Sequence, residues 1–372
     1  MKIVIDARTG FGTGIGRYAF NLIEQLQQID HRNQYHILML PKDFDKWQPL
    51  APNFHKHLAH YPFYSWREQL LLPILLYRLK PDLVHFTAFN APLAYFGRYV
   101  VTIHDLTLVY FKNIRGSGVR CWVYAVKYWA MRLVLRHAIM VSRAVITPTE
   151  FVRNQLIARY QRDRFPVPPA KVTATLEAVD VALSANRSNS AQPKAPFLLY
   201  VGNAYPHKNL DRLVEAFALV RLRHSDLALA IVGQEDYFYQ QLRHKVRAAN
   251  LESCVTFPGY LNDSELAALY RQTKLFVFPS LSEGFGLPPL EAMAQGAAVI
   301  ASNASCLPEV CGDAAAYFDP TDPTDMANKI SALLDNPAEL ARLKQAGPQH
   351  VKSFSWRRMA EQTLAVYNQR KN

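Results

Sequence analysis

Two successive alternations of apolar strand and amphipathic helix, divided by one polar stretch, constrain this chain more than any other feature. Strand candidates in the first series are Lys2–Asp6, Tyr35–Leu40, Asp82–Phe86, Tyr99–His104, Ala144–Thr147 and Lys171–Thr175. Several are apolar on both faces, as strands of a covered parallel sheet must be. Helical periodicity fills the gaps, as over Gly16–Ile29 with Ala19, Leu22, Ile23 and Leu26 on one face. The second series runs Phe197–Val201, Leu227–Val232, Cys254–Phe257, Leu275–Phe278, Ala298–Ala301 and Ala315–Phe318, with helices at Asn209–Leu222, Asp263–Tyr270 and Leu287–Gln295. Residues 184–196 are Ser/Asn/Pro-rich and read as a linker. The stretch Ala338–Asn372 reads as helical and polar-amphipathic. The expectation is an α/β protein of two doubly wound, Rossmann-like domains, 1–183 and 197–350. A terminal helix over 351–372 has the option of crossing back to the first. Such sheets bind ligands at the carboxyl ends of their strands, and a cleft between two facing domains is the default site.

Composition excludes other classes. With 372 residues, 50% apolar and 19% charged, the chain is neither disordered, collagenous nor a disulfide scaffold. Cys121, Cys254, Cys306 and Cys311 are scattered with no CxxC pair, and read as reduced thiols of a cytoplasmic protein. The opening Met1-Lys2-Ile3-Val4-Ile5-Asp6 reads as a strand and not a signal peptide. No run reaches the roughly 18 apolar residues of a membrane span.

The net charge of +12 is unevenly placed. Residues 1–180 carry 23 Lys+Arg against 12 Asp+Glu, a balance of +11, whereas the remainder is close to neutral. No acid occurs from Leu106 to Thr149, where Lys112, Arg115, Arg120, Lys127, Arg132, Arg136 and Arg143 are interleaved with aromatics. A helical reading of 119–141 gives an apolar face of Trp122, Val126, Trp129, Leu133 and Val134. Basic charge beside interfacial aromatics suits an anionic membrane surface, with a core-packing helix as the plain alternative. No RNA- or DNA-binding motif accompanies the charge, so nucleic acid is not an expected partner.

The segment Phe278-Pro279-Ser280-Leu281-Ser282-Glu283-Gly284-Phe285-Gly286-Leu287-Pro288-Pro289-Leu290-Glu291 carries the chemistry. A strand ends, a glycine-containing loop follows, and the prolines suit the first turn of a helix. Backbone N–H groups from Gly284 to Leu287 and the helix dipole favour an anion such as a diphosphate. Glu283 and Glu291 flank that point. In the first series, Gly10–Arg17 follows a strand and opens a helix, but Gly10, Gly12 and Gly16 do not keep the dinucleotide spacing. His104 ends an apolar strand, with Asp105 as its orienting partner or supporting group. Asp43-Phe44-Asp45 is the one Asp-x-Asp and sits in a Pro/Lys-rich loop. His55, His57 and His60 lack an acid or thiol to complete a metal site, so no metal ligands are assigned.

The pattern E-G-F-G-L-P-x-L-E-A-M-A resembles the E-x7-E signature of family 4 glycosyltransferases of the GT-B fold, a retaining family. Tyr200–Leu210, Pro258-Gly259-Tyr260, Leu307–Ala315, Gly10–Arg17 and Val101–Asp105 resemble further family segments, so that the likeness spans roughly residues 1–360. The resemblance implies that Glu283 meets donor-sugar hydroxyls and that Glu291 holds the ribose. Lys208 neutralises the diphosphate, with Gly284, Phe285, Gly286 and Leu287 cradling it. Tyr260 lies near the nucleobase. It places His104 beside the donor sugar and Gly12, Gly14, Gly16 and Arg17 along the cleft. Asn203 stands where the family often has Arg, with His207 or Arg271 as candidate replacements.

The resemblance implies transfer of a hexose, with mannose from GDP-mannose favoured, to a hydroxyl of a glycan or lipid-linked glycan in surface polysaccharide assembly. The donor is a substrate and no cofactor is expected. The site would work without metal, in the cytoplasm or at the inner membrane face. The absence of an evident protein nucleophile fits front-face attack within an ion pair. The rivals are a UDP-sugar 2-epimerase on the same fold and a non-catalytic polyanion-binding protein.

Overall fold

In a computed structural model of the chain, the described residues are 1–111, 119–161, 166–179 and 196–369, with 119–124 described by backbone alone. The expected linker, Pro196 excepted, lies outside them, as do the side chains of Lys112, Arg115, Arg120, Cys121 and Trp122. The chain divides into two compact units.

The first unit comprises Met1–Val109, Ile114–Glu177 and Ser355–Asn372. Its strands are β1 (Lys2–Asp6), β2 (Gln34–Met39), β3 (Phe54–Leu58), β4 (Leu83–Phe86), β5 (Tyr99–Thr102), β6 (Ala144–Thr147) and β7 (Val172–Ala174). They form one parallel sheet in the order β3-β2-β1-β4-β5-β6-β7. β3 is a strand that periodicity did not single out, because this edge strand is only partly buried and offers no apolar run. It carries His55 and His57 alongside β2, where His36 Nδ1 lies 2.6 Å from His57 Nε2. The helix after β1 starts at Gly14, two residues before the expected point, because the Thr13 hydroxyl accepts from the Gly16 N–H at 2.9 Å and caps it.

The second unit comprises Tyr110–Asn113 and Ala178–Phe354. Strands β8 (Phe197–Val201), β9 (Ala228–Val232), β10 (Val255–Gly259), β11 (Leu275–Phe278), β12 (Val299–Ser302) and β13 (Ala316–Phe318) form a parallel sheet in the order β10-β9-β8-β11-β12-β13. All four residues of β11 are fully buried, each such large apolar side chain contributing about 1.5–3 kcal/mol. Both sheets reverse their strand order beside the first strand, at β1/β4 and at β8/β11. Loops diverge at that point, leaving a crevice at the carboxyl edge.

The terminal stretch is helical, as Pro337–Val351 and Trp356–Asn368, broken where Ser355 caps the second by accepting from the Arg358 N–H. The second packs in the first unit against the helix Gly14–Ile29. In the helix Val119–Val141, the buried side is Leu135, Ala138 and Ile139. Of the expected apolar face, Val126, Trp129 and Leu133 lie outward at 68%, 68% and 59% exposure, as a surface-facing helix needs and a core-packing one does not, while Val134 is half-buried. Spacing identifies a face but not what it faces.

Candidate active site

At the switch point of the second unit, two loops rise from neighbouring strands. After β8 the chain turns through Gly202 and Asn203 into a 3-10 turn, Pro206–Lys208. After β11 it enters Pro279–Gly286 and then the helix Leu287–Ala294. Because β8 and β11 are hydrogen-bonded neighbours, side chains 75 positions apart meet. Lys208 Nζ donates to Glu283 Oε1 at 2.6 Å, the side chains being 13% and 12% exposed. The ammonium also stands 5.5 Å above the Phe278 ring. An ammonium carries three donors, so one bond to Glu283 leaves capacity for phosphate oxygens.

The loop that presents Glu283 is held from behind. Ser305 Oγ accepts from the Glu283 N–H at 2.9 Å and donates to the Glu283 carbonyl at 3.1 Å. Sequence reasoning missed Ser305, whose role depends wholly on the β12 loop folding beside the β11 loop. Phe285 is buried and packs edge-on against Phe354 at 5.8 Å. Gly286 takes φ +94°, a conformation that disfavours any side chain, and no side chain caps the helix that follows. That N-terminus is therefore suited to an anion, with Leu287 as its first residue. Glu291, one turn inside, is buried and its carboxylate accepts from the Tyr270 hydroxyl at 3.2 Å.

Other residues of this unit are less closely drawn in. Asn203 Oδ1 accepts from the Tyr205 N–H at 3.3 Å and its carbonyl from the Tyr200 hydroxyl at 2.8 Å, so it braces its own loop. Arg271 donates to Gln295 at 2.6 Å, and the structure does not bring it to Asn203. His207 is buried, and its carbonyl accepts from the Leu281 N–H at 2.8 Å, tying the two loops together. Tyr260 is 79% exposed just beyond β10. Cys306, buried and accepting no disulfide partner, donates to the Phe285 carbonyl at 3.3 Å, and burial raises its thiol well above the ordinary value.

In the first unit, His104 follows β5. Its Nε2 lies 2.9 Å from the Thr87 carbonyl and its Nδ1 3.1 Å from Glu177 Oε1. Both nitrogens face acceptors, and only the imidazolium donates from both. Burial opposes that charge, but the Glu177 carboxylate, the Thr87 carbonyl and Asp105 outweigh it and raise the pKa. Asp105 is not the orienting partner, because its Oδ1 accepts from the Thr107 N–H at 2.7 Å and caps the next turn. Glu177, after β7, takes that place, and a lone acid at a strand end gave no sequence signal of it. A sugar hydroxyl reaches either ring nitrogen only if one of these bonds is given up.

Behind His104 runs a buried chain. The Tyr18 ring meets His104 edge-on at 4.9 Å, and its hydroxyl lies 3.1 Å from Thr102 Oγ1. Thr102 Oγ1 is 2.8 Å from His85 Nε2, and His85 Nδ1 is 2.6 Å from the Tyr367 hydroxyl of the terminal helix. Burial, then His104, pushes His85 down to about 3.

The glycine loop lies on the same sheet edge. Gly16 tolerates no side chain, since a Cβ would strike the Gly10 carbonyl, whereas Gly12 and Gly14 face open space and Arg17 is half-buried. Asp43 lies in a helical turn, Pro41–Phe44, rather than a loop. Its buried carboxylate faces Gly10, with Lys46 3.7 Å away.

Comparison with known proteins agrees with this architecture. The family model described as Glycosyltransferase Family 4 matches residues 12–183, and that described as glycosyl transferases group 1 matches residues 184–350. The chain is 28% identical to the O-antigen chain mannosyltransferase B of Escherichia coli, over 95% of this chain and 96% of that one. It is 24% identical to the O-antigen chain mannosyltransferase RfbU of Salmonella typhimurium, over 89% and 90%. Among solved structures, sucrose-phosphate synthase of Thermosynechococcus elongatus superposes with a TM-score of 0.76 at 21% identity, covering 99% and 98% of the two chains. Two parallel-sheet units, each matched by its own family model, show that the chain belongs to the GT-B glycosyltransferases of the family 4, group 1 type.

Proposed function

We propose that this glycosyltransferase moves mannose from a nucleotide donor, GDP-mannose in the first instance, to a hydroxyl of a glycan or lipid-linked oligosaccharide during surface polysaccharide assembly, with retention of configuration. The observation that carries the reading is the Lys208–Glu283 pair beside the uncapped N-terminus of the helix Leu287–Ala294. The mannosyl preference draws on two relatives named for O-antigen mannosyl transfer, similar over most of their length.

In this reading Lys208 and the helix N-terminus stabilise charge building on the departing nucleoside diphosphate. Preorganised groups of this kind need no reorganisation at the moment of reaction. Glu283 accepts from donor-sugar hydroxyls while its other oxygen keeps Lys208 in place. Glu291, oriented by Tyr270, accepts from the ribose. No divalent ion takes part, because the cation that a metal would supply is already present as Lys208. The protein works at the inner membrane face, held by the basic first unit and its outward Trp129 face. Among the described residues, no helix is long and apolar enough to cross a membrane.

The test is a thermal-shift screen against GDP-, UDP-, dTDP- and ADP-sugars, followed by transfer assays with the donor that binds. A ligand that binds only the native state raises Tm. A rise with GDP-mannose, and mannosyl transfer to a lipid-linked acceptor, is expected. A rise with UDP-sugars alone, with epimerisation in the absence of acceptor, would replace this reading by the epimerase.

A further inference from the structure

His104 reaches the surface from a neighbourhood that does not. Its side chain is 14% exposed, whereas Tyr18, Thr102, His85 and Thr363 are 1% exposed or less. Two hydrogen bonds hold the imidazole, one to Glu177 and one to the Thr87 carbonyl. A ligand hydroxyl that takes a ring nitrogen displaces one of them and leaves the ring free to turn about the other. The Tyr18 ring is a third restraint of another kind. It stands at 83° to the imidazole with centroids 4.9 Å apart, within the range that aromatic pairs favour. This contact uses neither nitrogen, so it survives the exchange of a hydrogen bond.

Tyr18 is itself held from two sides. Its hydroxyl lies 3.1 Å from Thr102 Oγ1 and is also hydrogen-bonded to Thr363 of the terminal helix Trp356–Asn368. Thr102, the last residue of β5 and two positions before His104, continues through His85 to Tyr367 of that same helix. The Tyr18 ring also meets His85 edge-on at 6.5 Å. Burial raises the Tyr18 phenol and lowers the His85 imidazole to about 3, so the seam carries no charge at neutral pH. Each of its buried hydroxyls would lose a partner if the seam opened, which keeps it closed and the Tyr18 ring in place.

We infer that Tyr18 is a positioning residue for His104: its ring fixes the imidazole when a ligand hydroxyl displaces one of the two hydrogen bonds, and Thr363 and Tyr367 of the terminal helix fix Tyr18. The consequence for transfer rests on the placement of His104 beside the donor sugar; the ordering of the ring does not.

The experiment combines turnover with NMR of the ring nitrogens in full-length protein carrying ¹⁵N-histidine, the His104 signals being assigned by their loss in His104→Gln. Tyr18→Leu removes the ring and is expected to broaden or split the His104 signals, as exchange between orientations does. It should lower kcat about ten- to hundredfold, the loss that follows from misplacing a group at the reacting centre by roughly an ångström, with donor KM unchanged. Tyr18→Phe keeps the ring and should keep most of kcat. In a His104→Gln background Tyr18→Leu should cost nothing further, because residues that act through one another are not additive. Tm shows whether each variant is folded. Thr363→Val, which loses only a hydroxyl, should disturb the same signals and carries the test if Tyr18→Leu does not fold. His104 signals unchanged in the folded variants, or a Tyr18→Leu loss that recurs in full without His104, overturns the inference. Failure of wild type to turn over any mannosyl donor counts instead against the proposed function, and the His104 signals then decide this inference alone.

Discussion

Lys208 and Glu283 stand side by side because the strands that precede them are hydrogen-bonded neighbours, and their 2.6 Å ion pair closes the switch point of the second sheet. Each is mostly shielded, so each needs the other. Removing one partner of a buried pair leaves an uncompensated charge and typically costs about 3–5 kcal/mol, less where water still reaches it, as here.

Glu283→Ala and Lys208→Ala are therefore both expected to lower turnover about 10²–10³-fold, the usual loss when one preorganised electrostatic group is removed. The measurement is kcat at saturating donor, with Tm recorded to separate chemistry from folding. Wild-type kcat in either variant would falsify the assignment.

Glu291→Ala acts on a different quantity. Its carboxylate is buried and held by Tyr270, which suits a fixed acceptor for ribose hydroxyls. Each hydrogen bond to a charged group contributes about 1.5–3 kcal/mol, so nucleoside diphosphate affinity should fall roughly ten- to a hundredfold. Calorimetric titration reads this directly. Tyr270→Phe should give a smaller loss, because it frees the carboxylate to turn without removing it. Unchanged affinity in Glu291→Ala puts the ribose elsewhere.

How much of this was legible in the sequence follows from what each signal depends on. The two sheets were legible because β8 and β11 are apolar throughout, β1 has an apolar centre at Ile3-Val4-Ile5, and β4 departs from an apolar run only at the buried His85. Glu283, Gly286 and Glu291 were legible because loop, turn and helix are contiguous in sequence. The contact between Lys208 and Glu283 was not, since it exists only once β8 and β11 pair. Glu177 and Ser305 are single polar residues after β7 and β12, and only tertiary structure shows that they hold His104 and Glu283. Trp129 shows the limit of periodicity, which found its stripe but left a surface-facing and a core-packing helix both open until the structure turned it outward.

The His104–Glu177 pair makes a prediction with a definite sign. The pKa of His104 lies above its ordinary value of about 6.5, so the folded state binds the proton more tightly than the unfolded chain. The stabilisation is fully present below about pH 6.5 and is lost as pH rises through the raised value. Thermal unfolding followed upward from pH 6 should show a falling contribution that Glu177→Gln abolishes. The same slope in Glu177→Gln assigns the titration to another group.

Transfer is expected to proceed at the same rate in excess EDTA, because in the proposed reaction Lys208 supplies the positive charge at the phosphates. Loss of activity on chelation, restored by Mn²⁺ or Mg²⁺, overturns this. Asp43 and Asp45 would then be the residues to substitute, beginning with the buried Asp43 carboxylate facing Gly10.

The last prediction concerns the membrane. Residues 1–180 carry a balance of +11, and the helix Val119–Val141 turns Val126, Trp129 and Leu133 outward, with the Arg132 guanidinium 5.5 Å from the Trp129 ring. A basic residue near an anionic leaflet contributes on the order of 1 kcal/mol, screened within a Debye length of roughly 8–10 Å. Charge alone thus gives binding that needs anionic lipid and fades as salt rises. The outward apolar residues add a part that salt does not screen. The two parts are separable by sedimentation with neutral and with anionic vesicles at low and high salt. Wild type should sediment with anionic vesicles at low salt and leave a bound fraction at high salt, and Trp129→Ala should lose that fraction while keeping the salt-sensitive one. Equal recovery in the supernatant with both lipids at low salt would show that the basic half meets a soluble partner, and the acceptor would then be sought among soluble glycans.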